Sequence, residues 1–308
     1  MGNAQSEDLE ERDGHGRTPL IKACQFGDLE EAQRLIDKGA NIENWDSNER
    51  WTALEWACHK GHESIVKLLI DKGANIDPMA LRLSARAGNA AIVERLVQAG
   101  ANINDNERRK ETTALILASR EGHVDVVDCL LSLGADTEIE DSLFGTKPLM
   151  MASVRGNVDV VDRLLAAGCN VNAKDKKGAT ALMFVALGGH VSIIDRLVVH
   201  GADFNLRDDS GENALMWASR NGHTEAADRL LSLGCDINAQ NEEGVTALMW
   251  ACSQGKIDIV RLLLDHGADP LLCNNDAKRA IDLTSSPEIQ TLLNGLILLS
   301  FHHHHHIP

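Results

Sequence analysis

The sequence predicts an all-α protein built from pairs of short helices repeated in series. Three observations carry this. First, 44% of the 308 residues are hydrophobic but only 3% are aromatic, with no tyrosine. The apolar mass is therefore aliphatic and alanine-rich, which suits closely packed helices better than strands. Second, a Gly-Ala/Cys-Asp/Asn anchor recurs at Gly39, Gly73, Gly100, Gly134, Gly168, Gly201, Gly234 and Gly267, in steps of 34, 27, 34, 34, 33, 33 and 33. Third, a T-x-L position (Thr18, Thr52, Met79, Thr113, Lys147, Thr180, Asn213, Thr246) precedes each glycine by 21 residues. Length varies only between the glycine and the next T-x-L, so each unit is a rigid segment followed by a tolerant loop.

Within the rigid segment, "TALMWACSQGKIDIVRLLLDHGAD" reads as two helices. The first runs from about Ala247 to Ser253 and breaks near Gly255. The second carries Ile257, Val260, Leu263 and Leu264 at helical spacing and stops at Gly267. Lys38, Lys72, His200 and His266 precede the stop glycine, where cations suit the negative end of a helix dipole. No unit can bury its apolar face alone, so neighbours must stack. At the far end Ile289, Leu292, Leu293, Leu296 and Ile297 form the face of a closing helix.

These units resemble the ankyrin-repeat family: "GRTPLIKACQFGD", "DKKGATALMFVALGGH" and "GADFNLRDDSGENALMWASRNGH" match its pattern at its period. The resemblance spans about residues 14–294, eight units and a final half-unit. It implies a single elongated, curved α-solenoid with short β-hairpin fingers. It also implies a non-enzymatic protein–protein interaction module, an adaptor or scaffold binding through its concave face and fingers. A dedicated inhibitory subunit masking one enzyme or transcription factor is the alternative, and an enzyme a remote one. The family's T-P-L-H histidine is missing: its column reads Ile21, Glu55, Arg82, Ile116, Met150, Met183, Met216 and Met249.

Composition narrows the partners. A formal net charge of −16 argues against nucleic acid, whose binding requires phosphate neutralisation by Lys and Arg. Seven cysteines with no C-x-x-C pair, no sequon and no secretory h-region point to the cytoplasm. The recurring "ALMW" is read as core packing. Cys24, Cys58 and Cys252 occupy a small-residue column. His62, His123, His190 and His223 each follow the inter-helix glycine, which suggests one loop contact per unit and no converging metal site. No nucleophile elbow, phosphate loop or zinc motif occurs, and no cofactor is expected. The outer helices alternate Arg163, Arg196 and Arg229 with Asp162, Asp195 and Asp228, a solvated face.

The resemblance maps partner contacts onto two positions after the first helix's small pair. There the middle of the chain is basic: His59, Lys60, Arg86, Arg120, Arg155 and Arg220. The loop between Gly73 and Met79 is seven residues shorter than its neighbours, too short for a finger, and predicts a notch. Trp45, Arg50 and Trp51 flank it on one side, and Arg108, Arg109 and Lys110 on the other. Tryptophan beside arginine is hot-spot composition, and an acidic peptide with an apolar anchor is the expected ligand. The alternative is that both indoles fold back onto the helices. Leu143 and Phe144 form a second candidate of the same kind.

Residues 1–13 read as an acidic flexible segment whose "MGNAQS" resembles N-myristoylation signals at Gly2. One acyl chain gives weak, reversible membrane association, so a peripheral fraction of a monomeric protein is expected. Residues 295–308 read as a short tail with a tag-like run, His302–His306.

Overall fold

The computed structural model describes residues 6–106 and 112–304. Gly2, Arg108, Arg109 and Lys110 lie outside them. Backbone contacts cluster into two units, Met1–Ser142 and Leu143–Pro308.

The first unit holds four helix pairs: α1 (Pro19–Phe26) with α2 (Leu29–Asp37), α3 (Ala53–Lys60) with α4 (Glu63–Asp71), α5 (Pro78–Ala87) with α6 (Ala90–Gln98), and α7 (Ala114–Glu121) with α8 (Val124–Ser132). The second holds α9 (Pro148–Arg155) with α10 (Val158–Ala166), α11 (Ala181–Gly188) with α12 (Val191–Val199), α13 (Ala214–Asn221) with α14 (Thr224–Ser232), and α15 (Ala247–Ser253) with α16 (Ile257–Asp265). A 3₁₀ turn at Ala280–Leu283 and α17 (Pro287–His304) follow. In each unit first helices pack on first helices and second on second, in single file.

The T-x-L column proves to be the helix N-cap. Side chains of Thr18, Thr52, Thr113, Asn213 and Thr246 accept the backbone N–H three residues on, each contributing about 1 kcal/mol. The third repeat departs from the expected register. Its cap is Asp77, two residues ahead of Met79, and α5 is two residues longer than α3. Asp77 accepts from Ala80 N while Pro78 occupies the first turn, so the local chemistry starts the helix early. Lys72–Asp77 joins α4 to α5 without a closed finger loop.

The fingers are not hairpin strands. The described residues contain two isolated bridges, Trp45–Thr52 and Cys273–Arg279, and no strand. In four successive loops of the second unit an Asp or Asn closes the loop instead, recurring every 33 residues at Asp175, Asp208, Asn241 and Asn274. Asp175 is representative: its Oδ1 accepts the N–H groups of Lys177 (2.9 Å) and Ala179 (2.8 Å), and its own N–H bonds Ala179 O. A side chain thereby supplies the acceptor that a strand would otherwise provide. In the second unit the loops are linked in series, through Lys176 N to Phe144 O (3.0 Å), Asp209 N to Lys177 O (2.9 Å) and Glu242 N to Ser210 O (3.0 Å).

A histidine links successive repeats, although not from the T-P-L-H column. His62, His123, His190 and His223 donate from Nε2 to Gln25 O, Arg86 O, Val154 O and Leu187 O at 2.8–3.1 Å. Gly189 is required on two counts: its φ is +73°, and a Cβ there would lie 2.4 Å from His223 Nδ1.

The core is the predicted aliphatic stack. Met150, Met183, Met216 and Met249 are about 1% exposed, and Cys24, Cys58 and Cys252 are buried, their thiols pushed up to about 12 by desolvation. Outside, Arg196 Nε meets Asp162 (2.8 Å) and Arg229 Nε meets Asp195 (2.7 Å), pairs between neighbouring repeats. Each contributes at most about 1 kcal/mol at this exposure.

Both ends differ from expectation. Glu7 pairs with Arg34 and Lys38, and Glu10 accepts from Asn41 N (2.7 Å) and Asn44 Nδ2 (2.9 Å). Those cations hold the Glu7 carboxyl down at about 2, through hydrogen bonds from Arg34 and then Lys38. Glu10 thus takes the place that Glu43 fills for Asn75 N one repeat later, so Glu7 and Glu10 are bound to the first repeat. At the other end α17 continues to His304: Ile289 and Leu293 are fully buried, whereas Leu298, Leu299 and Phe301 are exposed.

Candidate functional site

In the first unit the predicted residues divide. Trp45 is 54% exposed, while its carbonyl accepts from Arg12 Nη1 and its residue bridges Thr52, so the backbone is pinned beneath an outward indole. Trp51 folds back. It packs edge-on against Trp56 (4.9 Å between ring centres) and His59 (5.1 Å). The physical reason lies in its column: the equivalent Ala179 and Glu212 are 2% and 3% exposed, so that position faces the helices. Burial lowers the His59 pKa, assisted by Lys60 and Arg86, and favours the neutral ring. Lys60 and Arg86 are exposed. Arg50 is exposed with φ +59°, where the loops at Gly178, Gly211 and Gly244 carry glycine and the last loop carries Ala277. Arg120 pairs with Glu121 (3.1 Å) and is half-buried.

In the second unit Leu143 and Phe144 are 53% and 56% exposed, and Arg155 is exposed. Leu143 and Phe144 line a groove of about 570 Å³ together with Phe184, Trp217, Asp175 and Asp208. Phe184 and Trp217 meet edge-on at 5.9 Å.

Arg220, predicted as a partner contact, is committed internally. Its guanidinium lies 5.6 Å from the Trp217 ring centre and 5.0 Å from that of Trp250. Its Nη1 is 3.4 Å from Glu212 Oε2. Glu212 Oε1 also accepts from Trp250 Nε1 (2.8 Å) and Asn241 Nδ2 (3.1 Å). The basic stripe is therefore partly self-satisfied, because acidic finger bases lie within reach of the long cationic side chains.

The tryptophans are not core residues as "ALMW" suggested. They are half-buried, and each ties a first helix to a finger carboxylate: Trp56 Nε1 to Asp46 (3.3 Å), Trp217 Nε1 to Asp208 (3.1 Å), Trp250 Nε1 to Glu212. Sequence reasoning missed both this linkage and the groove. The recurrence of Asp or Asn 9 or 10 residues before the aromatic was the available signal.

Comparison with known proteins agrees with the repeat architecture. A profile described as ankyrin repeats (3 copies) matches residues 3–80, 77–141, 149–241 and 182–274. Ankyrin repeat domain-containing protein 40 of mouse and its human counterpart are each 33% identical over 57 residues, covering 18% of this chain and 15% of theirs. The chain thus matches only a small part of those relatives' length. The stacked helix pairs, the closed finger loops and the profile match over most of the sequence together place this chain in the ankyrin-repeat family.

Proposed function

We propose that the chain is a non-enzymatic adaptor or scaffold that captures a protein segment in the groove beneath Leu143 and Phe144. Ankyrin repeats are protein-interaction modules, and what supports this particular groove is the pair of exposed apolar side chains on a fixed loop. Phe144 O accepts from Lys176 N, and the exposed Leu143 and Phe144 line one groove with Phe184 and Trp217. A rigid apolar anchor loses little entropy on binding. Changing Leu143 and Phe144 to serine is expected to abolish partner co-purification while leaving the melting temperature unchanged. Undiminished capture would discard the groove. One stoichiometric client would favour the inhibitory-subunit reading, several clients a scaffold.

A second surface is proposed on Trp45, whose exposed indole shares the first unit with the exposed cations Arg50, Lys60 and Arg86. An acidic segment with an apolar anchor suits that composition.

Among the described residues no helix is long and apolar enough to cross a membrane. Gly2 acylation is proposed from the motif alone, with weak reversible membrane association following from one chain. Mass spectrometry of the N-terminal peptide from eukaryotic cells should show a myristoyl group on Gly2; an unmodified glycine ends the idea.

A further inference from the structure

The second-unit groove contains a donor-shaped gap that its neighbours have filled. Two repeats close the finger-base carboxylate with an indole N–H from the first helix, Trp56 on Asp46 and Trp217 on Asp208, while Trp250 bonds Glu212 of the preceding finger. The equivalent aromatic on α11 is Phe184, which has no N–H to give. Asp175 Oδ1 is occupied by two backbone N–H groups, as Asp208 Oδ1 is. Asp175 Oδ2 has no hydrogen-bond partner among the described residues, and Asp175 lines the groove. A half-buried carboxylate oxygen beside aromatic walls gains from a charged donor supplied by a ligand.

The protein itself shows which donor such surroundings accept. Arg220 lies over Trp217 and Trp250 with its Nη1 against Glu212. One repeat earlier the same columns hold Leu187 and Ala179, so neither that cation nor that carboxylate is built in. The groove retains aromatic rings from Phe144, Phe184 and Trp217, and three carboxylates (Asp175, Asp208, Asp209) against two ammonium groups (Lys176, Lys177). Aromatic faces and a carboxylate together favour a planar guanidinium over a compact ammonium.

We propose that this groove takes an arginine side chain from a protein partner, its guanidinium bonded to Asp175 Oδ2 and packed on the Phe184 and Trp217 rings. The inference rests on the docking role proposed above and names the chemistry of what docks. It also gives the two surfaces opposite preferences, acidic at Trp45 and basic here.

The test is selection from a random twelve-residue peptide display library against the whole chain. Peptides retained by the wild type but not by the Leu143→Ser/Phe144→Ser variant should be enriched in arginine. The enrichment should vanish with Asp175→Asn. It should vanish equally with Phe184→Trp, which installs the indole donor that the other repeats use and keeps the loop closed. In a selected peptide, Arg→Lys should weaken binding about tenfold. Thermal melts of both variants, expected to match the wild type, separate loss of the site from loss of the fold. Groove-dependent peptides without arginine, or peptides indifferent to both variants, overturn the arginine assignment and leave the docking reading standing. Recovery of no peptide that depends on Leu143 and Phe144 overturns both.

Discussion

Replacing Glu212 with alanine is expected to lower the stability of the second unit by about 2–3 kcal/mol. Glu212 is 3% exposed and serves three donors from three elements: Trp250 Nε1 on α15, Asn241 Nδ2 on the following finger, and Arg220 on α13. Its removal leaves an indole N–H and an amide without their acceptor, and a guanidinium between two rings without its counter-ion. Stranding partners in this way costs more than the net contribution of the intact bonds. The figure stays below that for a fully buried ion pair because the Arg220 side chain is 34% exposed and water compensates part of the loss. Urea unfolding should show a lower midpoint, and Glu212→Gln should restore part of it by keeping an acceptor for Trp250. In a double-mutant cycle, Arg220→Met should cost clearly less in the Glu212→Ala background than in the wild type. An unchanged midpoint, or strict additivity, would show that the cluster contributes nothing as a unit.

The second large effect depends on pH. Glu55 is 4% exposed on α3, in the column where the family places histidine. Desolvation raises its pKa far above the usual carboxylate range, and the Asp77 carboxylate beside it raises it further. Asp77 caps α5, accepting Ala80 N at 3.2 Å, and its side chain is also hydrogen-bonded to Glu55. Glu55 therefore keeps its proton. Because the folded-state pKa lies above the unfolded value of about 4.3, the folded chain holds a proton that the unfolded chain releases. The contribution is complete below the unfolded pKa and declines as pH rises toward the folded one. Between pH 5 and 8 the wild type should lose about 1 kcal/mol per pH unit from this group. Glu55→Gln, neutral at every pH and still able to donate to Asp77, should flatten that decline and melt higher at pH 8. Equal pH slopes in the two proteins would refute the protonated carboxyl. Glu7 acts in a separate window. Its pKa is depressed to about 2, so its contribution is present above the unfolded value and fades only as pH falls toward 2.

The period, the helix pairs, the stop glycines and the aliphatic core were legible because each is a local instruction repeated in register. A threonine or asparagine caps the helix it precedes, a glycine permits the left-handed turn, and a methionine recurring once per repeat is buried in each. The early start of α5 was visible in Asp77-Pro78 but masked by counting from Met79.

What tertiary structure alone decided depends on which side chain stands one repeat away. Trp45 and Trp51 have similar compositional surroundings, yet one points outward and the other packs on Trp56 and His59. Arg220 is bound between two indoles, burial and then Asp77 raise the Glu55 pKa, and Asp175 retains an open oxygen because its partner column carries phenylalanine. Capping and turn formation act over three or four residues of chain. Charge pairing and ring packing act across stacked repeats, between residues separated by about 33 positions, so the same amino acid is committed to structure in one repeat and left exposed in another.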